Sequence, residues 1–65
     1  MLVHDQMFYD IVTGIPHRIE VLFDYRSNRK CYDIYVDTEF WSTADDRGQV
    51  YDEIEGILTV YNCRQ

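Results

Sequence analysis

The chain is poor in basic residues: Lys and Arg together number 6 of 65, against 12 Asp and Glu, which gives a formal net charge of −6. A nucleic-acid-binding domain needs clustered positive charge, because much of its affinity comes from counterions released from the phosphates. The same shortage disfavours anionic membranes. The main basic cluster, "RSNRK" at residues 26–30, has the composition of a turn. We therefore expect no direct contact with nucleic acid or membrane, and a basic protein surface as the partner.

Cysteines and long apolar runs are also scarce. Cys31 and Cys63 are the only two cysteines, and they form no C-x-x-C pair. The opening "MLVHDQMFYD" lacks the basic start and the apolar run of a secretory signal. No stretch approaches the roughly 18 apolar residues of a membrane span. These absences predict a cytoplasmic protein whose two thiols are reduced rather than joined in a disulfide.

The residue patterns that support catalysis or metal binding are missing as well. No glycine-rich phosphate-binding loop is present. His4 and His17, taken with the two cysteines, lack the close ligand spacing of structural zinc sites. No serine has a histidine at an obviously matched position, and so short a chain rarely forms a cleft for a small substrate. We expect neither an enzyme nor a bound cofactor or metal.

The N-terminal segment supports two readings. Six apolar residues in it follow the spacing of one helical face, and Gly14 followed by Pro16 is a typical helix stop: Val3, Met7, Phe8, Ile11, Val12 and Ile15. This spacing favours a short helix. The alternative is a strand over residues 7–12, because "FYDIV" is rich in residues that favour β-structure.

After Pro16 the apolar pattern changes to a period of two, which predicts strands. The first strand covers "HRIEVLFDYR", the second "CYDIYV" and the third "EFWST". The stretch from residue 43 onward has apolar residues at helical spacing: Val50, Ile54, Ile57, Leu58 and Tyr61. Residues 1–65 are thus predicted to form one α+β domain, a three-stranded antiparallel meander packed by a C-terminal helix. A short N-terminal helix precedes it, or, in the alternative, an N-terminal fourth strand.

A four-residue turn at "SNRK" sets the predicted strand pairing. It places Tyr25 opposite Tyr32, so that apolar residues of both strands share the inner face. On the other face it places Asp24 opposite Asp33 and Glu20 opposite Asp37, with Leu22 opposite Tyr35 between them. Like charges directly opposite each other destabilise a sheet, so this arrangement indicates a binding surface rather than a stabilising one.

The adjacent aromatics Phe40 and Trp41 point to opposite faces of a regular strand. A two-residue loop after Val36 places Trp41 in the core, whereas a three-residue loop places Phe40 there. Turn chemistry leaves both open, because neither loop has the glycine that it favours. We favour Phe40 in the core and Trp41 exposed, since Ser42 and Ala44 then face inward and leave room for the helix.

The end of the chain, "YDIYVDTEFWSTADDRGQVYDEIEGIL", generically resembles the ββα ending of small modules such as the arm-type DNA-binding domains of phage integrases. The likeness covers less than half of the chain. It implies that the sheet face reads DNA through basic residues. Here that face carries Glu20, Asp24, Asp33 and Asp37 instead, so the resemblance is one of shape and argues against DNA binding.

Two functional hypotheses follow. In the first, the chain is a small acidic interaction protein that imitates a row of phosphates and binds the basic surface of a nucleic-acid-binding protein, as phage or mobile-element inhibitors do by analogy. Its predicted partner-binding residues lie on the outer sheet face: Glu20, Leu22, Asp24, Asp33, Tyr35, Asp37 and Trp41. In the second, the chain is a homo-oligomeric structural or regulatory module in which Leu22 and Tyr35 pair across a two-fold axis. The N-terminal segment covers this face in a third reading, which leaves no surface patch.

Overall fold

The computed structural model describes residues 1–61, which form an antiparallel sheet followed by a helix. The elements are β1 (Leu2–Tyr9), β2 (Pro16–Arg26), β3 (Arg29–Val36), β4 (Glu39–Ala44) and α1 (Arg47–Val60). The strands run as a meander in the order β1-β2-β3-β4. α1 packs on β3 and β4. We call the sheet face on the side of α1 the inner face and the opposite one the outer face.

The inner face carries the core because alternate residues of the strands are apolar. Ile19 and Val21 of β2 lie opposite Val36 and Ile34 of β3, and Ile34 is completely buried. Phe8 of β1 extends this layer and packs edge-on against Tyr61, at 5.6 Å between ring centroids. The predicted division of β2 and β3 into an apolar and a polar face is therefore confirmed.

The C-terminal helix is confirmed, and four of the five residues of its predicted apolar stripe are buried: Val50, Ile54, Ile57 and Leu58. The fifth, Tyr61, is the half-buried C-cap. Asp46 caps the helix, since its Oδ1 accepts a hydrogen bond from the backbone N–H of Gln49 at 2.9 Å. On the sheet side, the Ser42 hydroxyl donates a hydrogen bond to the Glu53 carboxylate and ties α1 to β4. Within residues 1–61, no helix is long and apolar enough to cross a membrane.

The preferred N-terminal helix is wrong, and the alternative of a fourth strand is right, although β1 (Leu2–Tyr9) lies earlier than the predicted residues 7–12. Of the six apolar residues that suggested a helical face, only Phe8 is buried, so they were never one buried stripe. Gly14 does take a left-handed conformation, with φ at 73°. It does so in the β1–β2 loop, where its N–H donates to the carbonyl oxygen of Asp10 at 2.7 Å.

The predicted pairing of β2 with β3 is wrong by two residues. Arg26 lies opposite Arg29, and Phe23 rather than Tyr25 lies opposite Tyr32. The turn therefore contains only Ser27 and Asn28, both with positive φ, which characterises a type I′ turn. Because side chains alternate with a period of two, a shift of two residues keeps every residue on its predicted face while changing its partner.

Candidate partner-binding surface

Within residues 1–61, no element packs against the outer face. α1 lies on the inner face, and the N-terminal segment forms the edge strand β1, so the alternative reading in which this segment covers the outer face is wrong. Leu22 and Phe40 are exposed, at 37% and 61%. Tyr35 lies between them in the sheet and packs edge-on against Phe40, at 5.8 Å between ring centroids. An uncovered apolar cluster in the middle of a sheet indicates a site of contact with another molecule.

The predicted like-charge pairs across β2 and β3 are absent, because the register differs. Asp24 lies opposite Cys31, and Glu20 lies opposite Tyr35. A different acidic pair is present, since Glu20 also lies opposite Asp5 of β1. Arg18 relieves this pair by forming a two-point ion pair with Asp5, at 2.8 and 3.0 Å. The hydrogen bond and the charge of Asp5 raise the pKa of Arg18 above its ordinary value.

Asp33 does not belong to a free acidic row. It is buried, at 8% exposure, and its carboxylate is fully engaged: Oδ2 accepts from the Arg26 guanidinium, and Oδ1 accepts from the Thr43 hydroxyl at 3.1 Å. The hydrogen bond with Asp33, and then its charge, raise the pKa of Arg26. A buried carboxylate with both oxygens occupied holds three strands together rather than offering charge to a partner.

The carboxylate of Asp37 is likewise hydrogen-bonded within the fold. Asp37 is the first residue of the β3–β4 turn, and its carboxylate accepts from His17 Nδ1 at 2.6 Å and from the backbone N–H of Arg18 at 2.9 Å. Burial would raise the pKa of Asp37, but the bonds from His17 and Arg18 and the charge of His17 outweigh it, and the pKa is lowered. The His17 ring also packs at a tilt against the Tyr61 ring, at 4.4 Å between centroids. Asp37 therefore links the β3–β4 turn to β2. Through His17 this link extends to Tyr61, the residue that caps the end of α1.

Replacing Asp37 with asparagine is expected to lower the free energy of unfolding by about 1 kcal/mol at about pH 7, because hydrogen bonds to a charged acceptor are stronger. Asparagine tolerates the positive φ of 54° at this position, so the change isolates the charge. A carboxylate with a lowered pKa stabilises the fold above its unfolded-state pKa and loses that effect as the pH falls through its folded-state pKa. Urea unfolding should therefore show the difference from wild type shrinking towards about pH 3.

The exposed Asp24→Asn variant is the control for this experiment, since within residues 1–61 the Asp24 carboxylate accepts only from the adjacent Tyr25 N–H. It should unfold like the wild type at every pH. If Asp37→Asn has the same stability as wild type at neutral pH, then the His17–Asp37 contact does not stabilise the fold.

Phe40 is not in the core, so the preferred loop after Val36 is wrong. The loop has two residues, Asp37 and Thr38, and Tyr35 pairs with Phe40 on the outer face. A bulge then follows, because Ile34 pairs with Ser42 and leaves Trp41 as the extra residue. The bulge resets the alternation, so Ser42 and Ala44 still lie on the inner side as predicted. Trp41 is 38% exposed, as expected for it, although it is less exposed than Phe40.

A small pocket lies on the outer face at the β3–β4 turn. Its volume is about 170 Å³, and it is lined by Glu20, Leu22, Tyr35 and Thr38. Sequence reasoning missed Thr38, which has a φ of 68°. Such a conformation is rare for a β-branched residue. Glu20 takes part in none of the ion pairs among the described residues. The pocket thus combines two apolar walls with one carboxylate that forms none of these ion pairs, although its charge also acts on Arg18.

Of the predicted partner-binding residues, Glu20, Leu22 and Tyr35 come together at this pocket. Asp24 lies on the same face, further along β2. Asp33 and Asp37 are bound within the fold, and Trp41 lies in the bulge. Phe40 joins the cluster although the sequence analysis placed it in the core.

Among residues 1–61, no three His, Cys, Asp or Glu side chains are grouped so that they could hold a metal ion. Cys31 is half-buried on β3 and forms no disulfide with any of the described residues, and Cys63, the other cysteine of the predicted thiol pair, lies outside them. No known family's model, no curated protein and no solved structure matches this chain.

Proposed function

We propose that the chain is a protein-interaction module of the cytoplasm that binds a basic surface of a partner protein through the outer face of its sheet. The observation that carries this proposal is the pocket of Glu20, Leu22, Tyr35 and Thr38 on a face that no described element covers. A lysine or arginine side chain of the partner has the shape and charge to enter this pocket. The aliphatic stem lies against Leu22 and the Tyr35 ring, and the cation reaches the Glu20 carboxylate.

The size of the pocket supports a protein partner over a small molecule. Pockets that bind drug-sized ligands have volumes of roughly 300–1,000 Å³, whereas this pocket measures about 170 Å³. Phe40, 61% exposed beside it, adds an aromatic anchor of the kind that dominates protein interfaces. The dimensions thus fit one inserted side chain within a wider contact.

The net charge supports a basic partner, because a charge of −6 attracts it and speeds their encounter. Nucleic-acid-binding proteins expose such basic surfaces, so we keep a protein of this class as the proposed target. However, fewer carboxylates are free to imitate a row of phosphates than the sequence predicted. Asp33 and Asp37 are engaged inside the fold, which leaves Glu20 as the central carboxylate and Asp24 at the margin.

A short arginine- and lysine-rich peptide, titrated into the isotope-labelled chain and followed by NMR, tests this proposal. The largest amide shifts are expected at Glu20, Leu22 and Tyr35. Glu20→Gln should weaken the peptide's affinity roughly tenfold, because one close ion pair contributes on the order of 1.4 kcal/mol. The matched control is Glu55→Gln, which changes the net charge equally on the exposed surface of α1 and should change the affinity less than about twofold.

If the largest shifts fall on α1, or if both variants weaken binding equally, then the peptide binds only through the overall negative charge of the chain. The proposed surface is then wrong. Repeating the titration at high salt separates the two cases further. Binding that depends on the apolar walls keeps part of its affinity, whereas binding by overall charge is screened away.

A further inference from the structure

The free edge of β1 lacks the features that protect the other edge strand of the sheet, β4. Natural proteins protect edge strands by keeping them short, by bulges or by charge. The other edge strand, β4, follows this rule, since it has six residues, a bulge at Trp41, Glu39 at its start and α1 packed beside it. β1 has eight residues and contains neither Lys, Arg nor Pro. Its one bulge lies at its beginning, next to Leu2.

The backbone of β1 offers hydrogen bonds outward at regular positions. Asp10 N–H donates to the carbonyl oxygen of Ile15 at 3.0 Å, which fixes that pair as hydrogen-bonded. In an antiparallel ladder hydrogen-bonded pairs alternate with pairs whose N–H and C=O groups point away from each other. Asp5, Met7 and Tyr9 therefore direct their backbone groups to the open side of β1.

Apolar side chains are concentrated on the same part of the chain. More than half of the large apolar residues that are exposed lie within residues 1–15: Met1, Leu2, Val3, Met7, Tyr9, Ile11, Val12 and Ile15. Their exposure exceeds what a soluble surface needs, so another chain is expected to cover them. The loop that exposes Ile11 and Val12 forms hydrogen bonds within itself, since Asp10 Oδ1 accepts from the Val12 N–H at 2.8 Å.

We propose that β1 pairs antiparallel with β1 of a second copy of this chain, about a two-fold axis at Met7, so that the two sheets become one continuous eight-stranded sheet. In this register Met7 faces Met7, and Asp5 faces Tyr9, whose hydroxyl can donate to the carboxylate. The same register brings the Leu2 end of one strand towards the Ile11–Val12 turn of the other. An axis at Asp5 would instead place two carboxylates opposite each other.

The distribution of charge favours a second copy as the occupant. Three acidic residues lie at β4, on the opposite edge of the sheet from β1: Glu39 within the strand, and Asp52 and Glu53, which line a pocket with Thr43 and Ala44. Within β1 the only acid is Asp5, and Arg18 already pairs with it. Two copies of an acidic chain can therefore meet at this edge with little repulsion, whereas a basic partner is drawn to the other surfaces. A two-fold axis also closes the assembly and leaves no β1 edge free.

Sedimentation of the unaltered chain tests the assembly, with a species of twice the 7.9 kDa of one chain expected as the concentration rises. Met7→Lys should raise the dimer's dissociation constant at least roughly tenfold, because two ammonium groups then face each other at the axis. Leu22→Lys is the control, since Leu22 lies one strand away from the edge, and it should leave the dimer intact. A chain that stays monomeric at every concentration overturns the proposal.

Disulfide trapping tests the register, in a background in which Cys31 and Cys63 are replaced by serine. Hydrogen-bonded partners have Cα atoms about 5.5 Å apart, within the range that a disulfide spans. Met7→Cys should therefore crosslink rapidly on mild oxidation. Tyr9→Cys should crosslink at least roughly tenfold more slowly, because the two copies of that residue would lie roughly 14 Å apart. Faster crosslinking of Tyr9→Cys overturns the Met7 axis.

The dimer is independent of the proposed partner-binding surface. Met7→Cys, kept reduced, adds no charge to the face that Met7 shares with Glu20 and should leave the binding of the basic peptide unchanged, and Glu20→Gln should leave the dimer unchanged. Failure of one proposal is therefore distinguishable from failure of the other.

Discussion

Replacing Ile34 with alanine is expected to lower the free energy of unfolding by about 3 kcal/mol. Ile34 is completely buried and lies in the middle of β3, opposite Val21 on one side and Ser42 on the other. Removing its side chain leaves a cavity between the sheet and α1, and the neighbours on both strands are fixed by backbone hydrogen bonds and cannot close it. Urea unfolding followed by circular dichroism, at a single protein concentration, measures the loss.

The size of this loss matters because a domain of this length is stable by only roughly 3–10 kcal/mol. Ile34→Val, which removes one methylene group, should cost about 1 kcal/mol. Leu22→Ala, on the outer face, removes a side chain that is already 37% exposed and should cost no more than about 1 kcal/mol. Equal losses for Ile34→Ala and Leu22→Ala would contradict the assignment of the two faces.

Replacing Asp33 with lysine is the second large change, with an expected loss of about 2 kcal/mol or more. Asp33 is 8% exposed, and the new ammonium group would occupy its site beside the Arg26 guanidinium and the Thr43 hydroxyl. Burying a charge without an opposite partner is among the costliest single substitutions. Urea unfolding at neutral pH measures the loss, and circular dichroism checks whether the variant still folds.

Asp24→Lys makes the same change of charge two residues before Arg26, at an exposed position opposite Cys31. It should alter the unfolding free energy by less than about 0.5 kcal/mol. If Asp33→Lys is as stable as Asp24→Lys, the Arg26–Asp33–Thr43 contact does not hold the sheet. The pair also shows that reversing Asp33 is unsuitable as a test of partner binding, because a loss of binding would only report a loss of folding.

The sequence predicts which residues of β2 and β3 face the core, but it does not predict which residue of one strand lies opposite which residue of the other. Alternation assigns Val21 and Ile34 to the core whether the turn has two or four residues. The choice between those turns depends on local chemistry, and type I′ turns are recognised by Asn-Gly or Asp-Gly. Here the turns are Ser27-Asn28 and Asp37-Thr38, with no glycine, and all four residues adopt positive φ. The usual indicator was therefore absent from both turns.

The N-terminal strand could not be chosen over a helix because its apolar residues do not serve the core of one chain. A helix prediction assumes that a stripe of apolar residues is buried. In β1 only Phe8 meets that assumption, and Met7 is 57% exposed. In our proposal these apolar residues are buried in an interface between two copies of the chain. A single sequence does not distinguish residues buried in such an interface from residues buried in a core.

The bulge at Trp41 explains why the two aromatics were assigned in part wrongly. A strict alternation allows either Phe40 or Trp41 to face the core, and the prediction chose between those two. The inserted residue satisfies neither choice, because Phe40 stays outside with Tyr35 while Ser42 still reaches the inner side. Bulges are local departures that have no reliable pattern in one sequence. Part of the candidate pocket cluster was consequently missed.

The meander has a consequence for how fast the chain finds its fold. Every strand pairs with its neighbour in the chain, and α1 packs on the two strands that immediately precede it. Because each of these strand pairings joins neighbours along the chain, closing the loop between two strands costs little entropy before they pair. We expect the barrier to lie in the turns, where Ser27, Asn28, Asp37 and Thr38 must enter the left-handed region without glycine. We therefore expect the two hairpins formed by these turns to limit the folding rate, with the docking of the helix following them.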